Sequence, residues 1–344
     1  MGIHEAARFN NALDLKGIAK ILHSFYKQDD FSKLDPGFPR YFKKLQTQEG
    51  AEKYVRHIQN LCKLAGTPVL GKRVLDAGCG YGMTSLVLKM MGAEEVVGID
   101  IKKERLGSFQ KIVKKFPVDA RKVSGLLMSV TDMAFQDQSF NIILVNEAIS
   151  HYSGLHSFFS EVQRVLKPGG VLIIADGNNA LNPLIKHANY KLWQTYEQGP
   201  DGITISGHKI EKSIMTQRRE IIANYFPSLS VEEVKVLAER TSGLWGDLLR
   251  EAVEKYIRTG IMPAHYYQKG SCPRNPMIGS LVEMALNPYE LKQYISNLGF
   301  KVRIYSHFFG ARNELLFHLN QVLALMTPLT IYGARAFRIV AKKV

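Results

Sequence analysis

The 344-residue chain is 46% hydrophobic and 22% charged and carries a net charge of +14. That balance excludes a disordered, collagen-like or disulfide-stapled chain and suits one large α/β domain with an elaboration, or two small domains. Cys62, Cys79 and Cys272 lie far apart with no metal or redox spacing, so a reducing, cytoplasmic setting and no metal are expected. No apolar run follows a basic stretch at the amino terminus, so a secretory leader is not expected. Residues 301–344 hold seven basic side chains and one acidic one. Such an excess either attracts anionic lipid, nucleic acid or an acidic substrate, or simply keeps the chain soluble.

Residues 1–70 read as mainly helical. Helices are expected over 3–21 and over 51–65, where Tyr54, Val55, Ile58, Leu61 and Leu64 fall at helical spacing. Asp35-Pro-Gly-Phe-Pro39 breaks the chain between them. Val74 and Leu75 then read as the end of a buried strand, Gly78, Gly80 and Gly82 as a turn, and 84–91 as a helix. Alternate glycines let backbone come close to a ligand, at the carboxyl end of the first strand of an open sheet. Asp76 offers a carboxylate to an ammonium group. The spacing is G-x-G-x-G, not the G-x-G-x-x-G of dinucleotide folds, and an acid two positions before the first glycine would repel a pyrophosphate.

A short apolar strand follows over 96–99 and ends in Asp100, placed to accept hydrogen bonds from ribose hydroxyls. Next come Ser129-Val-Thr-Asp-Met-Ala-Phe-Gln-Asp-Gln-Ser-Phe-Asn141, a strand over 141–145, and Asn146-Glu-Ala-Ile-Ser-His-Tyr152 at its carboxyl end. An amphipathic helix over 157–166 leads to Leu166-Lys-Pro-Gly-Gly170, which turns the chain into a strand over 171–175. The four motifs, in this order and at these distances, resemble the class I S-adenosylmethionine-dependent methyltransferases of the methyltransferase-11 type.

The resemblance implies a Rossmann-like α/β fold: seven mostly parallel strands with an antiparallel edge hairpin. It implies S-adenosylmethionine as cofactor and S-adenosylhomocysteine as product. Carried over residue by residue, the cofactor set is Asp76, Gly78, Gly80, Gly82, Asp100, Ile101, Thr131, Asp132, Met133 and Asn146. Asp100 would hold the ribose and Asp132 the adenine amine, with a backbone amide from Met133. Asn141 departs from the family pattern, which has Asp there; the difference concerns the turn. The resemblance is specific over 71–177 and loose over 288–344.

Four segments are expected: a helical cap over 1–70, the cofactor-binding core over 71–177, a mainly helical insertion over 178–287 between strands five and six, and core completion over 288–344. In the resembled enzymes such an insertion walls or covers the acceptor. Ser230 with Glu233 forms a capping box, and 271–279 reads as an irregular loop. The last part reads as a helix over 288–298 stopped by Gly299, strands over 300–308 and 335–342, and an amphipathic helix over 313–326. Core packing is the expected role of that last helix, with membrane-surface contact through it and the basic tail as the alternative.

Methyl transfer asks the protein mainly to align the acceptor, and a hydroxyl acceptor also benefits from a base. His151 is the candidate base and Glu147 the alternative; Tyr81, His151, Tyr152 and Asn178 are candidates to line the acceptor. The leading expectation is methylation of a small molecule at oxygen. Alternatives are a lipid or isoprenoid acceptor at a membrane surface, a nucleic-acid acceptor, and a cofactor-binding scaffold. Nucleic acid is disfavoured because strand four is followed by Asn146-Glu-Ala-Ile149, not by an N-P-P-[YF] motif that grips a flipped base. The oligomeric state is open, a homodimer among the outcomes.

Overall fold

The computed structural model describes residues 14–28, 30–116, 118–205, 208–308 and 314–344. They divide into two compact units. The first is Met1–Ile149 with Gly154–Gly177 and Pro288–Val344, and the second is Ser150–Ser153 with Asn178–Asn287. Most of the helix expected over 3–21 lies outside the described residues; what is described is α1, Leu15–Gln28.

The first unit continues with α2 (Phe38–Tyr41), α3 (Gln48–Leu64), β1 (Arg73–Ala77), α4 (Met83–Met90), β2 (Glu95–Asp100), α5 (Lys103–Val113), β3 (Val123–Leu127), β4 (Phe140–Asn146), α6 (Leu155–Val165) and β5 (Leu166–Asp176). The second unit holds α7 (Pro183–Gln198), a two-stranded hairpin of β6 (Ile203–Ile205) and β7 (His208–Ile210), α8 (Ile214–Tyr225), α9 (Val231–Arg240) and α10 (Gly246–Thr259). The chain returns to the first unit with α11 (Pro288–Asn297), β8 (Phe300–His307), α12 (Glu314–Leu325), α13 (Thr327–Thr330) and β9 (Ala336–Lys343).

The sheet order is β3-β2-β1-β4-β5-β9-β8. The first five strands pair in parallel, and β9 runs antiparallel to both β5 and β8. This is the expected seven-stranded α/β sheet with an antiparallel edge. The strand order reverses at β1 and β4, so their carboxyl ends open the crevice where such sheets take ligands.

Local chemistry accounts for the elements. Thr47 caps α3 through the Gly50 amide at 3.1 Å, and the helix buries Tyr54, Val55, Ile58, Leu61 and Cys62. Val74, Leu75, Ile142, Ile143 and Leu144 are buried within strands covered on both faces, which is why these strands read as unbroken apolar runs. Phe109 of α5 presses into a space made by glycines: a Cβ at Gly82 would sit 2.1 Å from its ring, and one at Gly125 2.5 Å. At Lys167-Pro-Gly-Gly170 strand β5 loops out between two registers, since Leu166 pairs with Phe140 and Val171 with Ile142.

Two readings change. The second unit carries a β hairpin that its helix-compatible sequence hides, because three-residue strands leave too short a pattern. And α12 does not pack its apolar side into the core: Leu315, Leu319, Val322 and Leu325 are exposed, while Asn320 is buried.

Candidate active site

The cofactor motifs lie in the first unit, at the carboxyl ends of β1 and β2. Gly78, Gly80 and Gly82 have φ of +76°, +55° and +74°, a region that side chains with a Cβ rarely enter. The Gly78 and Cys79 amides donate to the Ile99 carbonyl at 2.9 and 3.0 Å, which holds the turn against β2. Asp100 closes the cradle. Its Oδ2 accepts from the Gly80 amide at 2.9 Å, and its Oδ1 from the Lys102 amide at 2.8 Å. Ile101, beside it, is exposed.

Asp76 is buried and accepts a hydrogen bond from Ser85 Oγ at 2.6 Å. Burial pushes its carboxyl up to about 7, and Asp100 adds to the effect. Among the described residues no cationic side chain pairs with it. A buried carboxylate with Ser85 as its hydrogen-bond partner could receive an ammonium group. The open backbone at Gly80, where an added Cβ would meet only Arg105 at 3.9 Å, leaves room for that ligand.

Residues 35–42 pack on the glycine turn. Tyr81 donates its hydroxyl to Asp35, and its ring lies 5.5 Å from Phe38, 5.7 Å from Tyr41 and 6.0 Å from Phe42. Arg105 stacks over Tyr41 and Tyr81 at 5.0 and 5.4 Å. Tyr81 is thus spent on joining the leading segment to the turn.

The loop after β3 also differs from expectation. Asp132 is exposed, and the Met133 amide donates to Glu161 Oε2 at 2.6 Å. Arg164 Nη2 donates to the Met133 carbonyl at 2.6 Å, so α6 holds the loop from both sides. The Met133 amide is therefore engaged within the chain and not offered to an adenine. Thr131 bonds back to Ser129, hydroxyl to hydroxyl at 2.7 Å. Sequence reasoning missed Glu161 and Arg164, since a partner 28 residues downstream leaves no local signal.

A second group missed in the sequence surrounds the carboxyl ends of β4 and β5. His57 donates from Nε2 to Asn146 Oδ1 at 2.9 Å, so Asn146 is held from α3. Arg338, buried in β9, has Glu147 and Asp176 as its charge partners. Burial first, then the charge of Arg338, pushes the imidazoles of His57 and His307 down to about 3, so both are neutral at ordinary pH. Burial also lowers Lys44, which Glu147 opposes. Glu147 sits at φ +53° and accepts from the Gly177 amide at 3.1 Å. Its carboxylate is thus occupied by the backbone and the neighbouring cations, which makes it an anchor, poorly suited to act as a base.

The remaining candidates fall in the second unit. His151 is exposed, and its Nδ1 donates to the Leu281 carbonyl at 3.0 Å. That bond selects the tautomer with a free lone pair on Nε2. Tyr152 is buried. Asn178 Oδ1 accepts from Asn189 Nδ2 at 3.1 Å, a bond that ties it to α7.

Sheet order, glycine cradle and the Asp100 contact together define a class I Rossmann-like methyltransferase fold. The chain belongs to the methyltransferase-domain family, whose model matches residues 69–240, half of the chain. S-adenosylmethionine is the cofactor of that family, and Asp76 with the Gly78–Gly82 turn fits its amino-acid end. The chain is 31% identical over 184 residues to the mitochondrial ubiquinone biosynthesis O-methyltransferase of Mus musculus, covering 52% of this chain and 47% of the mouse protein. It is 34% identical over 116 residues to the demethylmenaquinone methyltransferase of Tropheryma whipplei, covering 33% of this chain and 45% of that one. It thus spans about half the length of the relatives it matches. A solved S-adenosylmethionine-dependent methyltransferase from Mesorhizobium loti is 12% identical with a TM-score of 0.44, over 83% of this chain and 96% of the other.

Proposed function

We propose that the protein transfers the methyl group of S-adenosylmethionine to a hydroxyl oxygen of a small molecule. The observation that carries the cofactor half of this reading is the Gly80–Asp100 bond of 2.9 Å, which joins two motifs 20 residues apart into one cradle; the oxygen acceptor rests on the names of the relatives. Asp100 would accept from the ribose hydroxyls through the lone pairs its backbone amides leave open. Asp76 would receive the ligand's ammonium, which restores its charge. The bound sulfonium supplies an electrophilic methyl group, so this chain's task is to hold, align and deprotonate.

The proton goes to His151. With Nδ1–H committed to Leu281, Nε2 is the atom that accepts it. Glu147 and Arg338 hold the carboxyl ends of β4 and β5 in place and exchange no proton with the acceptor.

The names of the relatives make hydroxylated quinone precursors the acceptors to test first. Purified protein is incubated with methyl-labelled cofactor and such phenols, and the products are read by mass spectrometry. Label on a ring oxygen is expected. Label on a ring carbon would overturn the oxygen assignment, and cofactor binding without transfer to any acceptor would favour a scaffold.

A further inference from the structure

Helices α12 and α13 present an inverted surface. Leu315, Leu325 and Leu329 are 75%, 83% and 76% exposed, and Leu319, Val322, Met326 and Tyr332 are 41–55% exposed. Leu315, Leu319 and Val322 recur at intervals of four and three and so share one face of α12, while Met326 and Leu329, exposed too, follow at the cap and in α13. The polar residues face inward. Asn320 Oδ1 accepts from the Phe308 amide at 2.9 Å, the Ser306 amide donates to Thr327 Oγ1 at 2.9 Å, and Ser306 Oγ donates to the Leu323 carbonyl at 3.2 Å. The segment is fastened to β8 by hydrogen bonds on one side, and this leaves its leucines outward. A contiguous ridge of this kind marks a contact surface, unlike leucines scattered singly.

Charge identifies the occupant. Residues 315–344 contain no aspartate or glutamate and four basic residues, Arg335, Arg338, Lys342 and Lys343. Arg338 is buried, while Arg335, three positions after Tyr332, is exposed; Lys342 is exposed too but lies at the other end of β9, beside Val171. We propose that the ridge from Leu315 to Tyr332 is a docking surface for an anionic lipid bilayer, with its leucines in the apolar layer and Arg335 at the headgroups. Among the described residues no helix is long and apolar enough to cross a membrane, so the segment would lie in the interface plane. A second copy fits less well. A two-fold contact through this face would set Arg335 of each copy along it, with no carboxylate between Leu315 and Arg335 to meet it. The proposal stands on this surface alone and is independent of the acceptor.

The test is flotation of the full-length protein with vesicles of phosphatidylcholine, alone or mixed with phosphatidylglycerol. Retention on the mixed vesicles only, weakened by salt, is expected. The double variant Leu325→Glu, Leu329→Glu should lose at least about tenfold in partitioning, since two charges leave water for the apolar layer, while S-adenosylmethionine affinity is unchanged. Should that variant fold poorly, Leu325→Trp gives a second reading: its fluorescence should shift to the blue on mixed vesicles. Equal retention on neutral vesicles, or none on either, would overturn the proposal. So would a dimer seen by light scattering that the double variant dissolves while vesicles are ignored.

Discussion

The Gly80 amide donates to Asp100 Oδ2 at 2.9 Å and thereby locks the glycine turn of one strand to the carboxylate that ends the next. One carboxylate thus shapes the turn and, in the proposed reading, would also hold the ribose. Asp100→Ala should weaken S-adenosylmethionine binding by an order of magnitude or more, equivalent to about 1.4 kcal/mol or above. Isothermal calorimetry reads it directly, and an unchanged affinity would remove Asp100 from the ribose site.

Asp76 should give cofactor binding a pH dependence. Its carboxyl sits at about 7 in the folded chain against an ordinary value of 3.8. The folded state therefore holds a proton that the unfolded state has released, and this contribution to stability is lost as pH rises from about 4 through 7. Binding an ammonium requires the ionised form, so affinity should tighten between pH 5.5 and 7.5, by at most about tenfold per unit. Above that window the ligand's own amino group begins to lose its proton. Asp76→Asn should bind weakly and with a flat profile; a profile as steep as wild type would assign the titration elsewhere.

His57 and His307 act in the opposite direction. Their folded values near 3 lie below the ordinary 6.5, so both contribute stability above 6.5 that is lost as pH falls toward 3. Thermal unfolding temperature should drop as pH is lowered from 6.5 to 4. His57→Gln, which keeps a donor for Asn146 and cannot take up a proton, should flatten part of that slope. An identical slope in the variant would show that other groups govern acid sensitivity.

Gly82 and Gly71 form a matched pair for the core. Both have positive φ, +74° and +67°, but an added Cβ at Gly82 meets the Phe109 ring at 2.1 Å, whereas at Gly71 nothing lies within 4 Å. Gly71→Ala should cost only the backbone term, about 1 kcal/mol. Gly82→Ala adds overpacking and should cost about 3 kcal/mol or more. Urea unfolding of the two variants should separate them clearly, and equal losses would contradict the packing argument.

The second unit has its own test in the buried ion pair of Arg218 and Glu197. Arg218 also donates from Nε to the Ala238 carbonyl at 2.8 Å, and Ser242 donates to Glu197 at 3.1 Å. Arg218→Met leaves Glu197 buried without its cation and should cost about 3–5 kcal/mol, while Arg218→Met with Glu197→Leu should recover much of that loss. No recovery would mean that the bond to Ala238 matters more than the pair.

What could be read in the chain follows from distance along it. The glycine turn, the strand that ends in Asp100 and the Ser230–Glu233 capping box are local patterns legible within a few residues, and the seven-stranded sheet followed from the family resemblance that such motifs carry. The His57–Asn146 bond spans 89 residues, and Glu161 reaches Met133 from 28 residues away. Neither leaves a spacing to read. The Tyr81–Asp35 contact was not legible either, because a tyrosine in a glycine turn looks the same whatever its hydroxyl meets. Helix α12 misled for a different reason. Periodicity finds an apolar face but does not say which way it turns, and polar bonds from Ser306 and Asn320 decide that.

The role of His151 separates binding from chemistry. His151→Ala should leave cofactor affinity unchanged and lower turnover by about 100-fold or more on a hydroxyl acceptor. Partial recovery at high pH, where the acceptor ionises unaided, is also expected. Full activity across the pH range would return His151 to a structural role.

The most direct measurement is calorimetric titration of the protein with S-adenosylmethionine and, separately, with S-adenosylhomocysteine. Saturable binding of both in the micromolar range, lost in Asp100→Ala, is the predicted result. Failure to bind either ligand in a folded sample would contradict the assignment of the Gly78–Gly82 turn, Asp76 and Asp100 as the cofactor cradle.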